Sequence, residues 1–526
     1  MADGLNAGGA ELGYVRAVCE AARGRPAGAI ASVYAGQSTT WGGVFDRAAR
    51  IAGALQGMGV NPGDRVAVFS ANSDKYMQLY LAIPWAGGVI VPMNVRWSLA
   101  ENGYALDDCT PKVAFVSADA DAAILALFEQ RGISVVRLSD AADGAGALWS
   151  ALVSHDPIED VGRSGGDLFG IFYTGGTTGR SKGVMLSHAG VVGNSMTMRR
   201  LGLSPSSARK LIVAPLFHMA AAAALTMTLL AGGTAVIMPS FDPVGVLDVI
   251  ADTGVSDALL MPTMIQMMLN VPEFDGAKLS NLRRIMYGAS PMQEATLDRI
   301  MAAAPHVDFY QCYGMTELSP TATMLLPDFH RGVHREEGRH RGAGTVIPGT
   351  EVRIVDENDR AVPVGEVGEI VVRGPGVMLG YWNKPELTAA ALRGGWMHTG
   401  DGGRFDEHGV LYVVDRIKDM IVSGGENVYS AEVESAITLH PAVAQCAVIG
   451  VPDERWGERV HAVVVARPGH TVSAEEIVNH CRSLIADYKC PRSVEFNPAL
   501  PLSPAGKVLK TELRAPHWAG RSRNVS

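Results

Sequence analysis

Residues 173–188 read YTGGTTGRSKGVMLSH. Gly175, Gly176 and Gly179 would let a ligand come close to the backbone. Thr174, Thr177, Thr178 and Ser181 add hydroxyls, and Lys182 adds a positive charge. That set suits a polyphosphate, whose oxygens need many donors and a cation. It is not a Walker A loop, because no Gly-Lys-Ser/Thr ends it. The plain alternative is a glycine/threonine turn without a ligand, but the full string is far more specific than a bare glycine-rich loop.

Four more strings follow. Residues 310–317 read YQCYGMTE, 398–401 HTGD, 415–426 DRIKDMIVSGGE and 501–510 PLSPAGKVLK. Each alone reads as a turn, a capped helix start, a surface charge pair or a basic tail. In this order and spacing they resemble the adenylate-forming superfamily, which includes acyl-CoA synthetases, nonribosomal-peptide adenylation domains and firefly luciferase. The resemblance spans about residues 30–515.

The resemblance implies an ATP-dependent acid–CoA ligase. A carboxylic acid and ATP would give acyl-AMP and pyrophosphate; the thiol of coenzyme A would then give acyl-CoA and AMP. Thr174, Gly175, Gly176, Thr177, Thr178, Gly179 and Lys182 would handle the β- and γ-phosphates. Thr177 and Glu317 would hold Mg2+. Gly288, Ala289 and Ser290 would flank adenine, and Gln311, Cys312, Tyr313 and Thr316 would line the rest of the nucleotide pocket. Asp401 and Arg416 would hold the ribose; an ionised carboxylate only accepts, which suits two hydroxyl donors. Lys507 matches the catalytic lysine. A carboxylate is a poor electrophile and repels the triphosphate, so a cation is needed where charge builds in the transition state. His218 matches a gating position near the nucleotide–acyl junction, with a core histidine as the alternative.

By the same resemblance, residues 1–416 form a large AMP- and acyl-binding domain and 417–418 a hinge at Lys418. Residues 419–526 form a small mobile domain that carries Lys507. After the adenylate forms, the small domain would rotate, Lys507 would leave, and Ser423, Gly424, Gly425 and Glu426 would come in beside a pantetheine channel. Val422 and Asn427 depart from the lysine and tryptophan of some fatty acyl-CoA synthetases.

The acyl pocket is expected within 217–222, 261–264, 287–289 and 314–315. These stretches hold small alanines and adaptable methionines but no lysine, arginine or aspartate. An apolar acid of medium or greater size is expected, with a medium- to long-chain fatty acid leading. The alternatives are an aryl or cyclic terpenoid- or steroid-like acid, or a stand-alone ligase that loads a carrier protein. The histidine- and arginine-rich stretch 330–341 (HRGVHREEGRHR) reads as a solvated surface loop rather than a metal site. A second idea for Arg339 and Arg341 is contact with the 3′-phosphate of CoA.

The elements that must position these residues follow from pattern. Arg65–Phe69 reads as a buried strand. Ser73 caps a helix with Tyr76, Leu79, Tyr80 and Ile83 on one face, and 89–91 is the next strand. The unit repeats at 112–116, 123–130 and 135–138, which implies parallel sheets covered by helices with ligands at the strands' C-terminal ends. From about residue 349, alternating segments around DENDRAVPVGEVGE suggest an antiparallel module. Past 415, Ser430 is expected to cap a helix, and Ser473 with Glu476 makes a capping box stapled by Val472 and Ile477. The expected fold is α/β: a large N-terminal domain of mixed and parallel sheets plus a distorted β-barrel module, and a small α+β C-terminal domain.

The 526 residues allow two to four domains. A net charge of −9 gives no basic field for nucleic acid or anionic membrane. Six scattered cysteines without a CxxC argue against a zinc knuckle and fit a reducing, cytoplasmic setting. The uncharged stretch 219–239 is broken by Gly232-Gly233, so a buried helix–turn–strand is expected rather than a membrane span. The expected partners are the small-molecule acid, ATP and CoA, with a homodimer compatible.

Overall fold

The structure, a computed structural model, describes residues 13–139, 147–174, 181–290, 292–416, 419–423, 426–502 and 508–519. Two large sheets carry the chain as far as residue 346, and Gly380–Tyr381 returns to the first of them. The first has eight strands. Leu168–Thr174, Val89–Pro92, Arg65–Phe69, Val113–Val116 and Ser134–Arg137 run parallel at its centre. The second has nine. Asp308–Gly314, Arg284–Gly288, Asp257–Leu259, Arg209–Ile212, Thr234–Ile237 and Ile30–Tyr34 form its parallel run. Val89–Pro92, Val113–Val116 and Thr234–Ile237 are buried at every position, as central strands of helix-covered sheets require.

Local signals are obeyed where their partners lie close in sequence. Ser73 accepts from the Tyr76 N–H, and Tyr76, Leu79, Tyr80 and Ile83 are all fully buried. Ser473 and Glu476 form the reciprocal capping box, and Val472 packs with Ile477 in one cluster. The stretch 219–239 is helix Met219–Leu229, a turn at Gly232 (φ +61°) and strand Thr234–Ile237. A Cβ at Gly232 would stand 2.9 Å from the Ala21 carbonyl oxygen, so this turn admits only glycine. Among the described residues no helix is long and apolar enough to cross a membrane.

The antiparallel module is a four-stranded sheet of Glu351–Val355, Gly368–Arg373, Met397–Phe405 and Leu411–Arg416. Beyond it, Val443–Asp453 and Gly457–Ala466 form a long hairpin. It lies in a five-stranded sheet with its own core of Ile421, Val433, Ile437, Val448 and Ile477.

After the glycine/threonine loop, strand Lys182–Ser187 folds back on Leu168–Thr174, and helix His188–Arg200 follows. Two expectations are corrected. Ser430 is the first residue of helix Ser430–Thr438 rather than its cap. Its N–H donates to Asp415 Oδ2 at 2.6 Å, and its hydroxyl contacts the same carboxylate, so a side chain from a distant strand serves the helix end. The stretch 330–341 is not uniformly solvated, since His330 is fully buried and His340 nearly so. The Tyr287 hydroxyl lies 2.8 Å from His330 Nε2, and Nδ1 donates to the Leu326 carbonyl at 3.1 Å. Arg341 pairs with Glu294 and Arg339 with Glu337, so both guanidinium groups have carboxylate partners.

Burial pushes His330 and the equally enclosed His188 down to about 4. Both imidazoles are neutral in the fold and titrate near 6.5 when unfolded, so the unfolded chain takes up protons first on acidification. Their contribution is intact above pH 6.5 and is lost as pH falls from there toward 4. Lowering the pH from 7 to 5 is expected to cost about 2 kcal/mol for each histidine. Denaturant titrations at the two pH values will show this, and His330→Gln should shrink the difference.

Candidate active site

Thr174 and Lys182 face each other at the open end of the Leu168–Thr174/Lys182–Ser187 hairpin. Gly175, Gly176, Thr177, Thr178 and Gly179 lie between them, outside the described residues. Gly183 follows, and a Cβ there would come 2.7 Å from Ile171 Cγ2. Its carbonyl accepts from the Trp382 N–H at 2.7 Å, which binds the segment Gly380–Tyr381 and Trp382 across the hairpin. The Lys182 ammonium consequently stands 5.0 Å from the centre of the Tyr381 ring, within cation–π range.

Tyr381 is the residue that sequence reasoning missed. Its hydroxyl donates to Glu317 Oε1 at 2.9 Å, and Glu317 is only 5% exposed. The Met378 N–H donates to the Glu317 carbonyl at 2.9 Å. Glu317 sits in the single turn Thr316–Leu318 directly after strand Asp308–Gly314. The contact therefore joins the nine-stranded sheet to the eight-stranded one. Tyr381 carries no charge and lies 64 positions from its partner, so nothing near it in the sequence marks the contact.

The neighbouring strand ends supply a flat slot. Gly288 lies opposite Cys312 in parallel register, and a Cβ on it would fall 2.4 Å from the Cys312 carbonyl oxygen. Ala289 turns the chain at φ +65°, with Ser290 next. Burial pushes the Cys312 thiol up to about 12, so it lines the slot as a neutral group rather than a nucleophile. Gln311 Oε1 lies 3.3 Å from the Tyr287 hydroxyl, which connects it to buried His330 behind the strand.

The Tyr313 hydroxyl donates to Asp401 Oδ2 at 2.9 Å. Asp401 is buried, and its N–H donates to Thr399 Oγ1. Glu369 holds the turn before it: Oε2 lies 2.8 Å from His398 Nδ1, and Oε1 accepts from the Gly400 N–H at 3.0 Å. Arg416 lies opposite Asp401 in the strand pairing. Lys182, Tyr381 and Glu317 thus meet where the two large sheets adjoin, and Tyr313 ties the end of the nine-stranded sheet to Asp401 on the antiparallel module; strand ends are the place expected for a ligand in such folds.

His218 is half-buried at the start of helix Met219–Leu229, its ring 4.6 Å from that of Phe217. Of the expected acyl-pocket residues, Ala221, Ala222 and Tyr287 are core: they are 0–2% exposed, and Tyr287 is tied to His330. Ala220, Met261, Met264 and Met315 remain partly exposed while packing on the main core. Glu426 is exposed in the short strand Glu426–Val428. Lys507, Lys418, Gly424 and Gly425 lie outside the described residues; Leu502 and Val508 bridge on either side of 503–507. Lys510 just beyond is held at 2.7 Å by Glu434 and also contacts Ser430. Burial opposes its charge, yet Glu434, Asp415 and Asp419 outweigh that and raise its pKa.

The family model for AMP-binding enzymes matches residues 18–382, and that for the AMP-binding enzyme C-terminal domain matches 432–507. A feruloyl-CoA synthase of an Amycolatopsis species is 39% identical over 92% of this chain and 95% of its own. A long-chain-fatty-acid–CoA ligase of Mycobacterium tuberculosis is 36% identical over 89% of this chain and 91% of its own. The ATP-bound structure of MatB from Rhodopseudomonas palustris superposes with a TM-score of 0.87 at 32% identity, covering 95% of this chain and 98% of that one. The chain belongs to the adenylate-forming superfamily of AMP-binding enzymes, on its AMP-forming acyl-CoA synthetase branch.

A hydrogen bond to a charged group contributes about 1.5–3 kcal/mol. Tyr381→Phe is expected to lower kcat/KM for pyrophosphate release by roughly ten- to a hundred-fold on that scale. Steady-state assays with saturating acid will show the loss. A fall in Tm with unchanged kinetics would make the bond purely structural.

Proposed function

We propose that this synthetase activates an apolar carboxylic acid of medium or greater size, with a medium- to long-chain fatty acid as the leading class. The observation that carries this reading is the uncharged, methionine-rich set of half-buried residues Ala220, Met261, Met264 and Met315 beside the strand ends. Such side chains adapt to an alkyl chain and offer nothing to grip a polar tail. The similarity to a feruloyl-CoA synthase favours an aryl acid as the second reading.

In this proposal the nucleotide lies along the edge from Lys182 to Asp401. Gly288, Ala289, Ser290, Gln311, Cys312, Tyr313 and Thr316 line the adenosine and α-phosphate. Asp401 accepts from the ribose hydroxyls, with Arg416 beside it. Lys182 and the loop 174–179 take the terminal phosphates. Glu317 suits Mg2+: its buried carboxylate is a hard oxygen donor with one oxygen engaged by Tyr381. Thr177 is the second candidate ligand. When bound, the ion would neutralise phosphate charge and orient the leaving pyrophosphate.

Lys507 is assigned the cation that offsets repulsion between the incoming carboxylate and the α-phosphate. His218 is assigned the gate at the acyl junction. Residues 1–416 and 419–526 act as two bodies that turn at 417–418, with Lys418 as the pivot. Turning would exchange Lys507 for the loop of Gly424, Gly425 and Glu426 and admit the thiol of coenzyme A.

Two experiments test this reading. Pyrophosphate release, with and without CoA, over a panel of acetate, dodecanoate, palmitate, benzoate and ferulate should be fastest with the alkyl acids. Preference for ferulate selects the aryl reading, and preference for acetate overturns both. Lys507→Ala should abolish adenylate formation yet still convert synthetic acyl-AMP to thioester. Equal loss of both steps would refute the division of labour.

A further inference from the structure

One histidine cluster lies on the small C-terminal sheet and takes no part in the nucleotide edge. His461 is in strand Gly457–Ala466, which pairs in parallel with Ser493–Phe496 so that His461 lies opposite Ser493. Glu495, two residues on, presents its side chain on the same face as Ser493. His517 comes from the turn after helix Lys510–Arg514, where its N–H donates to the Arg514 carbonyl at 3.0 Å. One ligand atom from each of His461, Glu495 and His517 falls within 4.8 Å of the others.

The chemistry of His461 gives the cluster its meaning. Its side chain is only 7% exposed. Nδ1 lies 2.8 Å from Ser493 Oγ, while Nε2 is buried and has no hydrogen-bond partner among the described residues. Glu495 Oε2 is 3.6 Å from Nε2, too far for a hydrogen bond, and the His517 ring centre is 5.0 Å from that of His461. A buried polar atom left unpaired costs free energy unless a partner fills the gap. With Ser493 accepting from Nδ1–H, the lone pair falls on Nε2, the tautomer a metal ion needs. A hydrogen bond from the far ring nitrogen fixes the tautomer and orientation of a ligating imidazole, and Ser493 Oγ is placed to accept it here.

We propose that His461, His517 and Glu495 form a binding site for a divalent transition metal of the zinc class. Two imidazoles and a carboxylate are a borderline-soft donor set that selects zinc over magnesium or calcium. Four-coordinate zinc holds its ligand atoms about 3.4 Å apart. Exposed Glu495 and the turn carrying His517 can close that distance around the rigid His461. The ion would clip the C-terminal segment to the sheet and so close the stretch of about twenty residues that contains 503–507. Its role is that of a staple on the segment bearing Lys507; it is not a participant in the chemistry.

The test uses the full-length protein stripped of metal and titrated with Zn2+ by calorimetry and with Co2+ by visible absorption. The expected result is one saturable equivalent of Zn2+ and the intense bands of tetrahedral Co2+. His517→Ala and Glu495→Gln, both at accessible positions, should weaken binding by about ten-fold or more and abolish those bands. Their far-ultraviolet dichroism should match that of the parent. Binding that is unchanged in both variants places the metal elsewhere, for instance on the six free cysteines, and overturns the proposal. Absence of saturable binding in the parent overturns it equally.

Discussion

A buried carboxylate organises this molecule. Glu317 is almost entirely removed from water at the seam between two sheets. An ionised group in that position is costly unless it is paired or hydrogen-bonded. The Tyr381 hydroxyl supplies a partner, and the ring of the same tyrosine lies against the Lys182 ammonium. One aromatic residue thus brings an acid from the nine-stranded sheet and a base from the eight-stranded sheet to a common point without pairing them directly.

The rest of the edge follows the same logic of holding polar groups from behind. Asp401 is steadied by Tyr313 and Thr399, and the turn before it by Glu369. Gln311 is backed by Tyr287 and His330. Glycine stands at Gly288 because the adjoining backbone leaves no room for a side chain, and this keeps the slot flat. Preorganised groups of this kind lose little freedom when a nucleotide arrives.

Much of this was legible in the amino-acid order, for reasons that differ by residue. Ser73 and Ser473 could be read because a cap and its acceptor lie three positions apart. Strands Arg65–Phe69, Val89–Pro92 and Val113–Val116 could be read because burial on both faces leaves an apolar run. Glu317 and Asp401 could be singled out by type and by the strings around them, and Tyr313 was assigned to the pocket by its motif. What could not be read is partnership across the chain. The Tyr381–Glu317 bond, the Asp415 carboxylate at the Ser430 helix and the burial of His330 all join segments dozens of residues apart or in different layers. Ser430 looked like a cap because its type suits one; the acid that displaces it from that role lies on strand Leu411–Arg416, with two further strands in between. His330 looked solvated because arginines surround it in sequence, yet the fold directs its ring inward against Tyr287.

The contact between Asp415 and Ser430 has a mechanical meaning. Its two ends lie on opposite sides of residues 417 and 418, about which the C-terminal body is proposed to turn. The carboxylate also contributes to the field that keeps Lys510 charged. Any such turning must therefore part Asp415 from the helix end and from a cation it helps to hold, and must restore both on return. On the proposed turning, this contact would act as a latch that favours the pose in which Asp415 and Ser430 meet.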